Sequence, residues 1–153
     1  MKNEENTFDF ENYQPHESIP IPVPRRGLLS ALATELGAYN KKVDGVPTLK
    51  TSDLGLLPQE TFEQLKPLVV KGCQIRLQKG MVWATPPAAM EALVLFPVDA
   101  PALAAFNLFN GKTPIKTICA ALAEKTGWPP EKARAYTRGL FLKLVSLRVC
   151  EPG

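Results

Sequence analysis

Residues 99–118 read DAPALAAFNLFNGKTPIKTI, and most of the fold prediction starts from this run because it carries the signals of two consecutive helices. Asp99 is a residue type that caps helix starts, and a proline stands two positions later, where a first turn tolerates its missing N–H. Asn110-Gly111 is typical of a helix end, since glycine adopts the left-handed conformation at little cost. Thr113-Pro114 then predicts the start of the next helix.

Further helices are predicted from here to the C-terminus, because apolar residues continue at helical spacing. The second helix has one stripe of Ile115, Ile118, Cys119 and Leu122, and the last helix has a stripe of Ala133, Tyr136, Leu140, Leu144 and Leu147. Gly139 lies in the middle of the last helix, where glycine costs about 1 kcal/mol relative to alanine. It marks either a close approach of another backbone or a packing requirement.

Three strands are predicted upstream of residue 99. Apolar and polar residues alternate through residues 73–78, Lys79-Gly80 forms a tight turn, and residues 81–84 return. After a proline-containing loop at 85–90, residues 92–96 form a third strand that is apolar throughout. Such a run predicts that both of its faces are covered, by this chain or by a partner.

The N-terminal half predicts two further segments. Residues 1–25 form an acidic, proline-rich arm, since residues 1–24 hold five acids and one lysine whereas the remainder is basic. Alternate prolines at 19–24 favour a stiff linker, or a strap that lies along a groove of this chain or of a neighbour. Residues 26–68 are predicted to be helical and to pack on the rest.

The order of three strands and three helices, with Asn110-Gly111 between the first two helices, resembles the PqqD-like family. These winged-helix-like domains recognise precursor peptides in pathways that modify ribosomally made peptides. The resemblance covers about residues 69–150 of a domain spanning 69–153, and it rests on Asn110-Gly111, Thr113-Pro114-Ile115 and the ending at 141–147. It implies an α+β fold with a small three-stranded antiparallel sheet.

The resemblance also implies a mode of binding, in which a leader peptide adds a strand to the edge of the small sheet, beside the last helix. Here the edge is residues 92–96 and the helix runs from Glu131 to Leu147. The predicted peptide- or partner-binding residues are Leu93, Val94, Leu95, Phe96, Arg134, Arg138, Phe141, Val145 and Arg148.

The helical members of this set interleave cations with apolar groups on one helix face. That pattern suits an acidic amphipathic peptide, and it also suits a phosphate backbone. It is equally compatible with a solvated basic face from which Phe141 is buried against the N-terminal segment.

Catalytic and metal-binding chemistry is not predicted. The three cysteines lack paired spacing, and the single histidine, His16, lies in the polar arm. These counts argue against zinc or iron–sulfur ligation and against a Ser-His-Asp or Cys-His catalytic set. No cofactor is expected. The polar N-terminus and the short apolar runs predict a cytoplasmic protein without membrane contact.

The function predicted from the sequence is therefore that of a non-catalytic peptide- or protein-binding adaptor or chaperone. It would present a substrate peptide to a modifying enzyme, such as a radical enzyme, or stabilise that enzyme. Two alternatives stay open. One is a DNA-binding winged-helix regulator, and the other is a permanent structural subunit of a larger enzyme complex.

Overall fold

A computed structural model describes residues 10–13, 20–22, 42–43, 46–50, 54–87 and 89–152, which form an α+β fold. The strands are β1 (Pro20–Pro22), β2 (Lys42–Val43), β3 (Val46–Lys50), β4 (Pro67–Val69), β5 (Gln74–Gln78), β6 (Met81–Thr85), β7 (Leu93–Pro97) and β8 (Cys150–Pro152). The helices are α1 (Gln59–Phe62), α2 (Pro101–Phe106), α3 (Ile115–Thr126) and α4 (Pro130–Ser146).

The predicted small sheet is present as an antiparallel sheet in the order β5-β6-β7. Lys79 and Gly80 connect β5 to β6 with φ of 54° and 74°, the two positive values that match the twist of a tight hairpin. Val82 and Ala84 of β6 are buried, so the alternation along this strand sets the inner face of the sheet. The register between β6 and β7 skips Leu95, which marks a β-bulge.

The helix caps differ from the prediction. α2 begins after Ala100 rather than after an Asp99 cap, and neither α2 nor α3 has a side-chain cap. α2 ends at Phe106, so Asn110-Gly111 is not its C-cap. Instead, Asn110 forms a β-bridge with Leu68, and the Gly111 N–H donates to the Pro67 carbonyl at 2.8 Å. Asn110 and Gly111 therefore do not form a helix end, because their backbone groups pair with β4 instead.

The core is organised around five phenylalanine rings in edge-to-face contact. Their centroid separations are 5.8, 5.7, 6.0 and 5.9 Å along the series Phe96, Phe106, Phe109, Phe141 and Phe62. This series connects β7 through α2 to α4 and then to α1. Edge-to-face pairs of this kind contribute beyond their burial, by about 0.5–1.5 kcal/mol each.

The predicted domain boundary at residue 69 does not separate two units. β4 pairs with β8 at the C-terminus, and the core includes Leu54, Leu57, Phe62 and Leu65. Residues 54–68 therefore belong to the same hydrophobic core as α4. A change of hydrophobic period at residue 69 led to that predicted boundary, and packing contacts cross it, as between Phe62 and Phe141 of α4.

The helical prediction for 26–68 is wrong for most of its described residues. β2, β3 and β4 are strands, and α1 is only one turn long, ending at Phe62. The predicted helix at 26–40 lies outside the described residues. Pro20–Pro22 pairs with β3 in the order β1-β3-β2, so this part of the arm is a strand of its own chain. Its prolines lie on an edge strand, where a missing N–H is tolerated.

Candidate functional site

β7 lies at one edge of the small sheet. Among the described residues, β7 pairs with β6 and with no strand on its other side. Phe96 is buried, Leu93 and Leu95 are half-buried, and 47% of Val94 is exposed. The expectation that both faces of this strand are covered therefore holds only for the face that points toward α2. The edge combines available backbone groups with an accessible apolar side chain.

The outer face of the sheet next to this edge carries Trp83. It is the cross-strand neighbour of both Val94 and Arg76, and its Nε1–H donates to the Gln78 carbonyl at 3.0 Å. Trp83 points outward because β6 turns Val82 and Ala84 inward. The alternation along β6 could have identified this, since three residues in a row cannot share one face.

The opposite edge strand, β5, is more exposed. Ile75 and Leu77 lie opposite Ala84 and Val82, so they share the inner face of the sheet, yet 64% of Leu77 is exposed. The described part of the chain therefore leaves apolar side chains accessible on both edges of this sheet.

Two of the predicted binding residues on the last helix are in the core. Phe141 is fully buried between Phe62 and Phe109, and 3% of Val145 is exposed. Neither side chain can contact a partner in this structure, so both assignments to a binding face are corrected. Phe141 packs against Phe62 of the N-terminal segment, which is the alternative that the sequence had left open for this face of α4.

The two predicted arginines of α4 contact the chain itself. The Arg134 Nε lies 3.6 Å from the Glu63 carboxylate, in a partly exposed ion pair. The Arg138 guanidinium lies 4.7 Å from the centroid of the Phe62 ring and donates to the Gly55 carbonyl. Burial lowers the pKa of Arg138 from its usual value. Arg138 is thus partly a structural residue that holds residues 55–62 against α4.

Arg148 lies after the end of α4, in the left-handed conformation with φ of 63°. Its N–H donates to the Val145 carbonyl, and the next N–H, of Val149, donates to the Leu144 carbonyl. These bonds are typical of a helix C-terminus that glycine usually occupies. Arg148 is exposed, and its position is set by the helix end rather than by the stripe of α4.

β7 and α4 are not direct neighbours along their lengths. α2 packs against both of them, and the ring series runs from Phe96 of β7 through Phe106 and Phe109 to Phe141 of α4. The peptide site implied by the resemblance, in which strand edge and last helix flank one ligand, is therefore divided here by aromatic side chains of α2 and the following turn.

A second surface on α4 was not predicted. Residues 132, 136, 139, 143 and 146 follow one another at spacings of four and three, so they share one face of the helix. Residues 10–13 lie along this face as a turn, closed by a bond from the Tyr13 N–H to the Phe10 carbonyl at 3.3 Å. We call this face the α4 groove, consisting of Lys132, Tyr136, Gly139, Lys143 and Ser146.

Gly139 is the closest contact in the α4 groove. A Cβ at this position would lie 1.5 Å from the Phe10 carbonyl oxygen, so only glycine admits the turn. Close approach of another backbone, one of the two sequence interpretations of this glycine, is therefore what the structure shows. The signal was in the sequence, but the identity of the approaching backbone was not.

Side-chain contacts also hold the turn. The Phe10 and Tyr136 rings meet edge to face at 5.4 Å, and 3% of Phe10 is exposed. The Glu11 carboxylate lies 3.5 Å from the Lys132 Nζ. The Tyr13 hydroxyl donates to the Ser146 Oγ at 3.1 Å, and the Lys143 Nζ lies 5.4 Å from the centroid of the Tyr13 ring.

Burial changes the acid–base chemistry of several groups near these surfaces. Desolvation raises the pKa of Tyr136 to about 12, and it raises the pKa of Cys119 to about 11. Burial also raises the pKa of Cys73 and of Cys150. All three thiols are thereby kept in the protonated, weakly nucleophilic form near neutral pH.

In the part of the chain that the structure describes, no three His, Cys, Asp or Glu side chains group so as to hold a metal ion. Within the same residues, every helix is too short or too polar to cross a bilayer. No protein-family model, no curated protein and no solved structure matches the chain.

Proposed function

We propose that this protein is a non-catalytic peptide- or protein-binding adaptor that takes a partner segment as an added strand on β7. The observation that carries the proposal is the position of β7, which pairs only with β6 among the described residues and keeps Val94 half exposed. A strand edge of this kind supplies backbone hydrogen bonds for affinity.

Selection among partners would come from side chains next to the edge. Val94 and Trp83 form a cross-strand pair on the outer face, so alternate side chains of an added strand would contact apolar and aromatic surface there. Arg76 lies on the far side of Trp83, on the opposite edge strand β5, so it does not take part in this selection. The preferred partner is therefore an extended segment with apolar residues at alternate positions.

The PqqD-like resemblance gives this proposal its biological form. It supports a winged-helix-like domain that presents a precursor peptide to a modifying enzyme, such as a radical enzyme, or stabilises that enzyme. The division of β7 from α4 by Phe106 restricts the proposal to the strand edge. The basic residues of α4 are therefore not part of the proposed binding site.

The experiment is a selection of peptides from a random phage-displayed library on the full chain, followed by binding of the selected peptides to two variants. Val94→Asp puts a charge beside the β7 edge and should weaken binding about tenfold, or about 1.4 kcal/mol. Leu77→Asp is the matched control on β5, which is exposed and at the opposite edge of the same sheet. It should leave binding unchanged.

Hydrogen exchange supplies the independent readout. A bound peptide should slow exchange of amides in residues 93–97, because an added strand pairs with them. Peptides that bind equally to both variants, or that leave these amides unprotected, would contradict strand addition at β7. Failure to select any peptide would count against the adaptor function as well.

The alternative of a permanent structural subunit also has an observation in its favour, since Ile75 and Leu77 are exposed on the inner face of the sheet. A large partner that covers this face would bury them. A chain produced without partners would then aggregate, whereas a monodisperse monomer at about 100 μM would exclude a permanent subunit with a standard-sized interface.

DNA binding gains less support, because Arg134 and Arg138 contact Glu63 and Gly55 of the chain itself.

A further inference from the structure

We propose that the α4 groove is a second docking site, specific for acidic aromatic turn segments, and that residues 10–13 are its resident intramolecular ligand. A partner segment of the same chemistry, with a phenylalanine, an acid and a tyrosine in the order Phe-Glu-x-Tyr, would displace the resident turn. This site does not depend on the β7 edge, because the two surfaces share no residue.

The shape of the α4 groove is the first argument. Gly139 costs about 1 kcal/mol of helix stability relative to alanine, and the three nearest atoms to a Cβ built there all belong to Phe10. Helix α4 therefore has a notch at Gly139, and among the described residues the turn at 10–13 fills it. A notch that fits one backbone turn fits the same turn from another polypeptide, since the contact is made by a main-chain carbonyl.

Chemistry is the second argument. Phe10 lies in an aromatic corner with Tyr136, and Trp128 meets Tyr136 on its other side at 5.1 Å. Lys132 serves two partners, since its Nζ lies 3.5 Å from the Glu11 carboxylate and 4.8 Å from the centroid of the Trp128 ring. An aromatic side chain followed by an acid is the ligand that this arrangement recognises.

The charge balance supports the same ligand class. α4 carries four cations and one acid, whereas residues 1–24 carry five acids and one lysine. Beside the docked turn lies a cavity of about 350 Å³, lined by Glu11, Tyr13, Gln59, Glu131, Arg134 and Arg138 among others. A partner segment longer than residues 10–13 would meet Glu131 there beside two arginines that already contact Glu63 and Gly55, so the preference for an acid rests on Lys132.

Displacement is feasible because the resident turn is short. Its contacts include two aromatic rings, the hydrogen bond from Tyr13 to Ser146 and one ion pair that is exposed, and exposed ion pairs contribute about 1 kcal/mol or less. For a peptide with a dissociation constant of roughly 100 μM, a resident copy at an effective concentration of about 1 mM lowers the apparent affinity about tenfold. A partner with tighter contacts overcomes that competition.

The test uses full-length chains and one synthetic peptide with the sequence of residues 5–17, ENTFDFENYQPHE. The double variant Phe10→Ala, Tyr13→Ala disables the resident turn. It should bind the labelled peptide about tenfold more tightly than the unaltered chain does, as measured by fluorescence polarisation. A peptide carrying the same two alanines is the control ligand and should not bind.

Two further variants, made in the double-variant background, locate the binding. Gly139→Ala fills the notch and should abolish binding, while its higher helix propensity keeps the fold. Lys132→Ala should weaken binding about threefold, and more at low salt, whereas Lys125→Ala on α3 changes the same charge elsewhere and should have no effect. Circular dichroism checks that each variant is folded.

Three results would overturn the proposal: no binding to the double variant, equal binding to the double variant and the unaltered chain, or binding that survives Gly139→Ala. Concentration-dependent dimers of the unaltered chain that dissociate on addition of the peptide would identify a second copy, rather than a different protein, as the partner. That outcome would also reject the proposal as stated. Hydrogen exchange separates this site from β7, because the peptide should leave amides 93–97 unprotected.

Discussion

The small sheet and the helical half of the molecule differ in how far they bury their apolar residues. The sheet leaves Leu77 and Val94 exposed at its two edges, whereas α4 buries Phe141 and Val145 completely or nearly so. Apolar residues on the sheet edges are therefore exposed to solvent, whereas those on α4 contribute to stability. On α4, we propose binding only for the α4 groove, where lysine, glycine and serine lie beside Tyr136.

The largest effect expected from this contrast is on folding. Phe141→Ala removes a ring that contacts both Phe62 and Phe109, so it should lower the free energy of unfolding by about 3–5 kcal/mol. Val94→Ala on the sheet edge should cost about 1 kcal/mol or less, because the side chain is half exposed. Urea denaturation measures both. Equal costs would show that the two regions do not differ as described.

The second effect concerns the arginines of α4. Arg138→Ala should cost about 1–2 kcal/mol, because it removes a charged hydrogen bond to Gly55 and a cation–π contact with Phe62. Arg134→Ala is the matched control and should cost about 0.5 kcal/mol or less, since its ion pair with Glu63 is partly exposed. Thermal unfolding of both variants checks the order, and a reversed order would remove the structural role given to Arg138.

The smallest effect is expected from glycine substitutions at two positive-φ positions, one after α4 and one in the small sheet. Both should raise the free energy of unfolding by a similar amount. Arg148 after α4 and Lys79 between β5 and β6 both have positive φ, a conformation that glycine adopts without the steric cost of a Cβ. Arg148→Gly and Lys79→Gly should each raise the free energy of unfolding by about 0.5–1 kcal/mol. Arg76→Gly, in the extended strand β5, is the control and should lower it by a similar amount. Loss of stability in either of the first two would mean that the arginine or lysine side chain makes a compensating contact.

The sequence predicted much of the small sheet and of the helices α3 and α4, and less of the site. Alternation found β5, the tight turn at Lys79-Gly80 predicted the return strand β6, and an apolar run found β7, whose edge position was implied by the PqqD-like resemblance. Periodicity found α3 and α4 with their buried stripes. Helix caps were less reliable: Asp99 and Thr113 have the right residue types but do not cap, because α2 and α3 begin one residue later, with Ala100 and Pro114 at their N-cap positions.

The predicted site residues also fall into two groups, according to whether a distant segment of the chain decides their burial. The PqqD-like resemblance implied that the four residues of β7 lie at a sheet edge, and among the described residues β7 pairs only with β6, while their role in binding stays a prediction. Phe141 and Val145 were misplaced, because a second stripe on α4 can face either solvent or residues 54–65, and helical spacing does not distinguish the two. The α4 groove was missed because its stripe contains lysine, glycine and serine, which carry no apolar periodicity.

The sequence by itself determined that an apolar strand lies near residues 92–96, observed at Leu93–Pro97, that α4 is long and cationic, and that Gly139 has a special role. These properties depend on local spacing and on single residues. The tertiary structure decided which faces of α4 are closed and that Phe10 occupies the notch at Gly139. The physical reason is that burial depends on which distant segment supplies the partner surface, and residues 10–13 and 54–65 reach α4 across more than 70 positions of the chain.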